Sequence, residues 1–367
     1  LIHYIFQKRL LTKINELRLL LIFLILSILL ILNLIRALPS KILTFDGLQY
    51  LKMAEEFWSF KFDYILPYRS PLISIFLIPD IRLAKVEITF LYLASCILFY
   101  LFLNKKLKMK NAIISLILFS FCAWNIIFTL EIATEYFSLF FLMLGFLGDN
   151  YIIRSISLSL SFLFRPDFIV FILPFFMFIE KNKKVIPHFL MFSFAIDFFL
   201  LFLFYRTFNI SFFIFFFENF IKQTPWKISP GGIFWMRFIY FLPYYLPFIL
   251  GILYIRMDEK RKKFFFYSFI FVSILGLLPF TNDRIFFVKI LLLLSISGAY
   301  LIERLGSYGY IILFCTTLIN IIIAILSTSP TWLLEANCSS SFFDSSEILD
   351  VCANIATYLF SNAFFYQ

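Results

Sequence analysis

The sequence predicts an all-α polytopic membrane protein of about eleven transmembrane helices, on three observations. Its 367 residues are 62% hydrophobic with a mean hydropathy of +0.94, whereas soluble domains are apolar at roughly half their positions. Apolar runs near the ~20 residues that cross a bilayer as a helix recur along the chain. Between them, Lys and Arg cluster in alternate loops, the mark of cytoplasmic loops.

The first run, 19–38, follows the basic segment "LIHYIFQKRLLTKINELR". That start is like a signal peptide, but the run is long and no small-residue cleavage site follows, so it is expected to be a retained first span. A first external loop, 39–83, comes next. Further spans are expected at 84–103, 111–130, 135–149, 152–164, 168–180, 185–205, 232–255, 264–280, 285–302 and 310–327. The three between 135 and 180 are short, so tilted, re-entrant or merged segments are expected there. Residues 1–327 thus form one transmembrane domain, with an external tail at 328–367.

Orientation follows from the bases. With the N-terminus cytoplasmic, Lys8, Arg9, Lys13, Arg18, "NKKLKMK" (Asn104–Lys110), "EKNKK" (Glu180–Lys184), "RMDEKRKK" (Arg256–Lys263) and Arg304 all fall inside. The external loop, Glu131–Glu135, Arg165–Asp167, the loop 206–231, "TNDR" (Thr281–Arg284) and the tail fall outside. An integral protein of the cell membrane, C-terminus extracytoplasmic, is the expectation.

The net charge of +10 is explained by those inner loops, so no nucleic-acid partner is expected. The 56 Phe residues accompany many Ile, Lys and Asn, all with AT-rich codons, and read as genome composition rather than as a cofactor cage. The two histidines, His3 and His188, lie far apart and the five cysteines form no C-x-x-C, so no His/Cys zinc site is expected. Cys338 and Cys352 lie in an oxidising compartment on this topology; a bridge closing their loop would stabilise the tail by about 3 kcal/mol, and two free thiols are equally compatible. Ser155, Ser157, Ser159 and Ser161 read as helix-packing residues.

The densest chemistry lies in "TFDGLQYLKMAEEFWSFKFDYILPYRSPL", Thr44–Leu72. Asp46–Phe60 reads as an interfacial amphipathic helix, with Leu48, Leu51, Ala54, Phe57 and Trp58 on one face and Gln49, Lys52, Glu55, Glu56 and Ser59 on the other. Asp46, with Gln49 three residues on, approximates a capping box; it reads either as that cap or as a general base at a cavity, and the two are compatible. Pro67 and Pro71 hold Tyr68 and Arg69 on a stiff extended segment. Arg69 would then contact headgroups or bind a lipid phosphate. Acids and bases gathered on the face opposite the bulk positive charge suggest an outward cavity for an anionic lipid headgroup.

This stretch resembles the first external loop of GT-C class membrane glycosyltransferases, especially the family 39-like enzymes related to protein O-mannosyltransferases. The resemblance rests on Asp46, Tyr50, Ala54 and "YRSPL" (Tyr68–Leu72), then, in order, on "EIATEYFSLFFLMLGF" (Glu131–Phe146), "SLSFLFRPDFIVFILP" (Ser159–Pro174) and "NDRIFFVKILLLLSISGAYLIERL" (Asn282–Leu305). It implies sugar transfer from a polyprenyl-phosphate carrier to a lipid, glycan or protein acceptor outside, by an inverting single displacement. Asp46 would be the general base. Arg69 and Arg284, backed by Lys85 and Arg165, would hold the donor phosphate, with Tyr50, Tyr68 and Glu135 as substrate contacts. No cofactor is implied; a divalent metal stays open, although Gly47 stands where many relatives carry a second acid. The partners are the lipid-linked sugar, membrane lipids and an unidentified acceptor. The absence of a G-x-G-x-x-G, Walker or D-x-D motif agrees with a lipid-carried donor.

Two other classes stay open. A transporter or flippase predicts charges within spans, for which Asp197 and Glu87 qualify, and helices broken at mid-membrane. A non-catalytic subunit of a membrane complex predicts that Asp46 faces lipid or protein.

Overall fold

A computed structural model describes residues 20–35, 42–43, 45–61, 72–129, 132, 134–205, 248–277, 283–326 and 334–335, with backbone alone at 42–43, 45–46, 201–205, 276–277, 283–287, 326 and 334–335. Among them the architecture is all-α, apart from a two-residue antiparallel pair. That pair joins β1 (Ile42–Leu43) to β2 (Leu334–Glu335), with Ile42 opposite Glu335 and Leu43 opposite Leu334. The helices are α1 (Leu20–Ile35), α2 (Phe45–Trp58), α3 (Leu72–Phe76), α4 (Ile81–Lys106), α5 (Met109–Ser120), α6 (Ala123–Phe128), α7 (Glu135–Leu147), α8 (Tyr151–Phe164), α9 (Ile169–Pro174), α10 (Val185–Tyr205), α11 (Glu259–Leu277), α12 (Asp283–Leu305) and α13 (Ser307–Leu326).

Helix boundaries follow local chemistry. Asp80 caps α4, accepting from the Arg82 and Leu83 amides at 2.9 and 2.8 Å, and Asn150 caps α8 through the Ile152 amide at 2.8 Å. Gly306, at φ +60°, makes the tight reversal between α12 and α13. Pro174 ends the regular part of α9, and a π-helical turn, Phe175–Ile179, follows.

The expected span 111–130 is instead two helices, broken at Phe121–Cys122. The break persists because side chains satisfy its backbone. Tyr92 donates to the Ser120 carbonyl at 2.6 Å, Asn125 to the Phe119 carbonyl at 2.8 Å, and the Asn320 side-chain oxygen accepts from the Ala123 amide at 3.0 Å. An interruption in apolar surroundings needs such partners. The serines pack helices as expected where their bonds are seen: Ser155 donates to the Val185 carbonyl at 3.1 Å and Ser159 to the Phe189 carbonyl at 2.8 Å.

The basic loops meet at one end of the bundle. Lys108 lies 3.6 Å from Glu303, to which Asn111 also donates. Arg261 donates to the Lys106 carbonyl, Lys105 reaches Asp149, and Arg154 binds both Glu180 and the Gly148 carbonyl. Among the described residues, the loop clusters assigned to a common side thus form one layer; Lys8, Arg9, Lys13 and Arg18 lie outside the described residues.

Two helices, Ile81–Lys106 and Ser307–Ile325, are long and apolar enough to cross a membrane; shorter apolar helices are Leu20–Ile35, Met109–Ser120, Glu135–Leu147, Tyr151–Phe164, Pro166–Ile179 and Val185–Leu200. Large apolar side chains face outward on several of them, including Phe90 on α4, Phe194 on α10, and Ile311 and Phe314 on α13. Helices α7 and α8, of 13 and 14 residues, rise only about 20 Å against a hydrocarbon thickness of ~30 Å.

Helix α2 departs from expectation in its face. Its buried residues are Gly47, Gln49, Tyr50, Met53 and Ala54, while Trp58 is 54% exposed. The helix docks on α3 rather than resting only on a surface, which turns Gln49 inward. The Trp58 indole donates to the Leu77 carbonyl at 3.1 Å, tying the end of α2 to the turn before α4.

The approach of the 251–254 turn to α12 is close: a Cβ on Gly251 would lie 2.1 Å from the Ser297 carbonyl oxygen. Gly251→Ala is expected to cost about 1–3 kcal/mol, read as a lower thermal midpoint of the detergent-solubilised protein.

Candidate functional site

At the end of the bundle opposite the basic layer, four charges meet among the described residues. Glu135 opens α7, Arg165 ends α8, Asp167 lies in the 3₁₀ turn Pro166–Phe168, and Lys289 lies six residues into α12. The Arg165 guanidinium donates from Nη1 to Glu135 Oε1 at 2.8 Å, and from Nη2 and Nε to the two Asp167 oxygens at 3.0 and 3.3 Å. Lys289 Nζ donates to Asp167 Oδ2 at 2.9 Å and stands 4.3 Å from the centroid of the Phe168 ring. The Lys289 side chain is fully buried, that of Glu135 2% exposed, and those of Arg165 and Asp167 12% and 15%.

The turn that positions Arg165 and Asp167 is set by Pro166, which cannot continue α8. Ring packing fixes the surroundings. Phe137 stacks on Phe164 at 5.0 Å, and Phe76, at the end of α3, lies 6.3 Å from the first and 5.5 Å from the second. Phe76 of α3 therefore packs against the rings that flank Glu135 and Arg165.

Among the described residues, two acids and two bases offset one another here. Buried charges persist when paired and hydrogen-bonded, and removing one partner leaves another stranded. Asp167 accepts from both Arg165 and Lys289, which offsets the cost of burying its carboxylate. Arg165 spends three of its five N–H donors on carboxylates. A phosphate arriving here would compete with them, whereas hydroxyl groups could share the same acids and bases.

The position along the bundle is measurable by residue count. From Glu135 to the basic layer α7 rises about 20 Å, and from Lys289 to Glu303 α12 rises about 21 Å. The quartet thus lies two-thirds of a hydrocarbon thickness from that layer.

Of the residues expected at a site, the structure brings Glu135 and Arg165 into direct contact. Tyr50 is buried on α2 and Lys85 is fully buried in the first turn-and-a-half of α4. Lys85 stands about 10 Å along α4 from Tyr92, whose ring packs on Tyr136 beside Glu135. Asp46 sits inside the first turn of α2, which begins one residue earlier at Phe45 rather than at Asp46 itself; its side chain lies outside the described residues. So do the Arg284 side chain, Tyr68, Arg69, and the Cys338 and Cys352 pair. Among the described residues, no three His, Cys, Asp or Glu side chains gather as metal ligands.

Sequence reasoning passed over Asp167 and Lys289 as site residues. The available signal for Lys289 was a lone charge within an apolar run, costly unless partnered. Asp167 was one more charge at a span end, and nothing in the spacing says that it would face α12.

Lys289→Met is expected to destabilise the protein by about 3–5 kcal/mol, because it leaves the buried Glu135 and Asp167 carboxylates sharing Arg165. Lys289→Met with Asp167→Asn should recover part of that loss, since Arg165 and Glu135 still balance; thermal unfolding of both variants in detergent measures this. Comparison with family models, curated proteins and solved structures found no match.

Proposed function

We propose that the chain is a membrane glycosyltransferase taking a sugar from a polyprenyl-phosphate carrier to a hydroxyl acceptor on the extracytoplasmic side. The observation that carries this reading is the convergence of the segments on which the GT-C resemblance rests. Glu135 of the second, Arg165 and Asp167 of the third and Lys289 of the fourth share one hydrogen-bonded cluster, and Phe76, just after the first, packs beside it.

In this reading the bundle spans the cell membrane about eleven times, N-terminus and basic layer cytoplasmic, with its outward apolar faces in lipid. The short α7–α8 hairpin then leaves the quartet recessed about 10 Å below the outer boundary, at the floor of an external cavity. The balanced quartet takes sugar hydroxyls, which revises the phosphate role expected of Arg165. Donor phosphate binding falls to Arg69 and Arg284, with Lys85 behind them. Asp46 removes the acceptor hydroxyl's proton as that oxygen attacks the anomeric carbon; the bond to the phosphate oxygen breaks, and the lipid phosphate leaves as an anion. A single displacement inverts the anomeric centre.

A transporter is the second reading, favoured by two observations. Lys289 and Asp197 are buried charges within helices, and the 109–128 segment is an interrupted helix.

The test is transfer of radiolabel from polyprenyl-phosphate sugars to a membrane extract by the purified, reconstituted protein. Asp46→Asn should lower transfer by about 10²–10⁴-fold while the thermal midpoint holds. Undiminished transfer by that variant removes Asp46 as the base. Uptake of labelled solute into sealed proteoliposomes, without covalent transfer, would support the transporter instead.

A further inference from the structure

The strand pair ties the C-terminal part of the chain to the entry of α2. β1 (Ile42–Leu43) precedes α2, with Thr44 alone between Leu43 and Phe45, and β2 (Leu334–Glu335) follows α13. Ile42 stands opposite Glu335 and Leu43 opposite Leu334, and β1 also contacts α2. Both partners reach the same end of the bundle. α13 starts beyond the Gly306 reversal, close to Glu303 of the basic layer, and rises about 30 Å over its 20 residues. α2 lies at the far end from that layer, because Trp58 bonds to the Leu77 carbonyl just before α4, whose last turn carries Lys105 and Lys106. Sidedness read from the basic loops puts the first external loop and the tail on one side, and the strand pair is a contact between them.

Two opposed residue pairs add little stability, since even a full two-stranded hairpin is marginal in water. Their effect is geometric. α2 docks on α3 with Tyr50, Met53 and Ala54 buried, and Trp58 anchors its last turn. Those ties act on the middle and the C-terminal end of the helix; the strand pair acts on its entry. Asp46 is the second residue of α2, three positions beyond Leu43. A reacting group displaced by about 1 Å can cost about 10²-fold in rate.

We propose that β2 is a positioning element for the transfer reaction: by pairing with β1 it fixes the backbone of the first turn of α2, and with it the place of Asp46. The catalytic part of this assignment rests on Asp46 as the general base, whereas the clasp between the two strands does not.

The first test uses the full-length protein with Cys338→Ser and Cys352→Ser, so that the tail's own thiols do not compete. Leu43→Cys with Leu334→Cys should bridge on mild oxidation, because directly opposed residues of an antiparallel pair stand about 4.5–5.5 Å apart at Cα, within disulfide reach. The oxidised form should transfer sugar within about twofold of the reduced form, since the bridge holds the geometry already present. Leu334→Pro with Glu335→Pro removes both backbone donors of β2. It should lower kcat about tenfold or more, with the donor KM within about twofold and the thermal midpoint held. Hydrogen exchange of the Phe45–Gln49 amides should quicken in the same variant.

Failure of the cysteine pair to bridge, unchanged exchange over Phe45–Gln49, or an undiminished kcat in the proline variant would each overturn the proposal. So would loss of transfer on oxidation, which would mean that the strands must part during turnover. Should the proline variant not fold, bridging and the oxidised rate decide. A chain that bridges and shows the exchange change, yet transfers no sugar even as wild type, would keep the clasp and remove the glycosyltransferase reading.

Discussion

The Arg165 guanidinium bonded to two carboxylates is the constraint on which the rest of this end of the fold depends. It ties the start of α7 to the end of α8, and Asp167 passes the connection to Lys289 in α12. Two helices with no short sequence connection to α12 are thereby held in register with it, and each bond matters because the groups are almost dry. In water such pairs contribute little. In an apolar bundle the alternative is a stranded charge, so the quartet specifies an arrangement even where it adds little net stability.

The same logic explains the interruptions. The helix break at Phe121–Cys122 and the turn after Phe164 would each expose backbone groups in apolar surroundings. Tyr92, Asn125 and Asn320 answer the first. At the second, the Arg165 amide bonds back to the Ser161 carbonyl, and the Phe168 amide to the Arg165 carbonyl. Among the described residues, buried polar side chains bond to backbone groups more often than to one another.

Hydropathy located nearly every helix, because a run of Leu, Ile and Phe is legible without knowing its neighbours. The grouping of two basic loops was legible too, since 104–110 and 256–263 were assigned together by sequence and the Arg261–Lys106 bond joins them in space. What sequence could not supply was rotation. The buried face of α2 depends on its docking against α3, so Gln49 was placed outward and lies inward. Nor could it supply pairing: Glu135 and Arg165 were singled out separately, and their contact, with Asp167 and Lys289 completing it, requires knowing which helices touch. The break within 109–128 was hidden for a similar reason, because its partners, Tyr92 and Asn320, lie on other helices.

The brevity of the α7–α8 hairpin has an electrical consequence. If the bundle sits in an energised membrane, the potential difference falls mainly across the dry material between the quartet and the basic layer, about 20 Å rather than ~30 Å. A single charge carried across 100 mV exchanges about 2.3 kcal/mol with that field. Among the described residues the group holds two acids and two bases, so the field would act on it mainly through its dipole. An ion in a water-filled recess above it would stay near the outer potential and meet the voltage only on passing below the quartet.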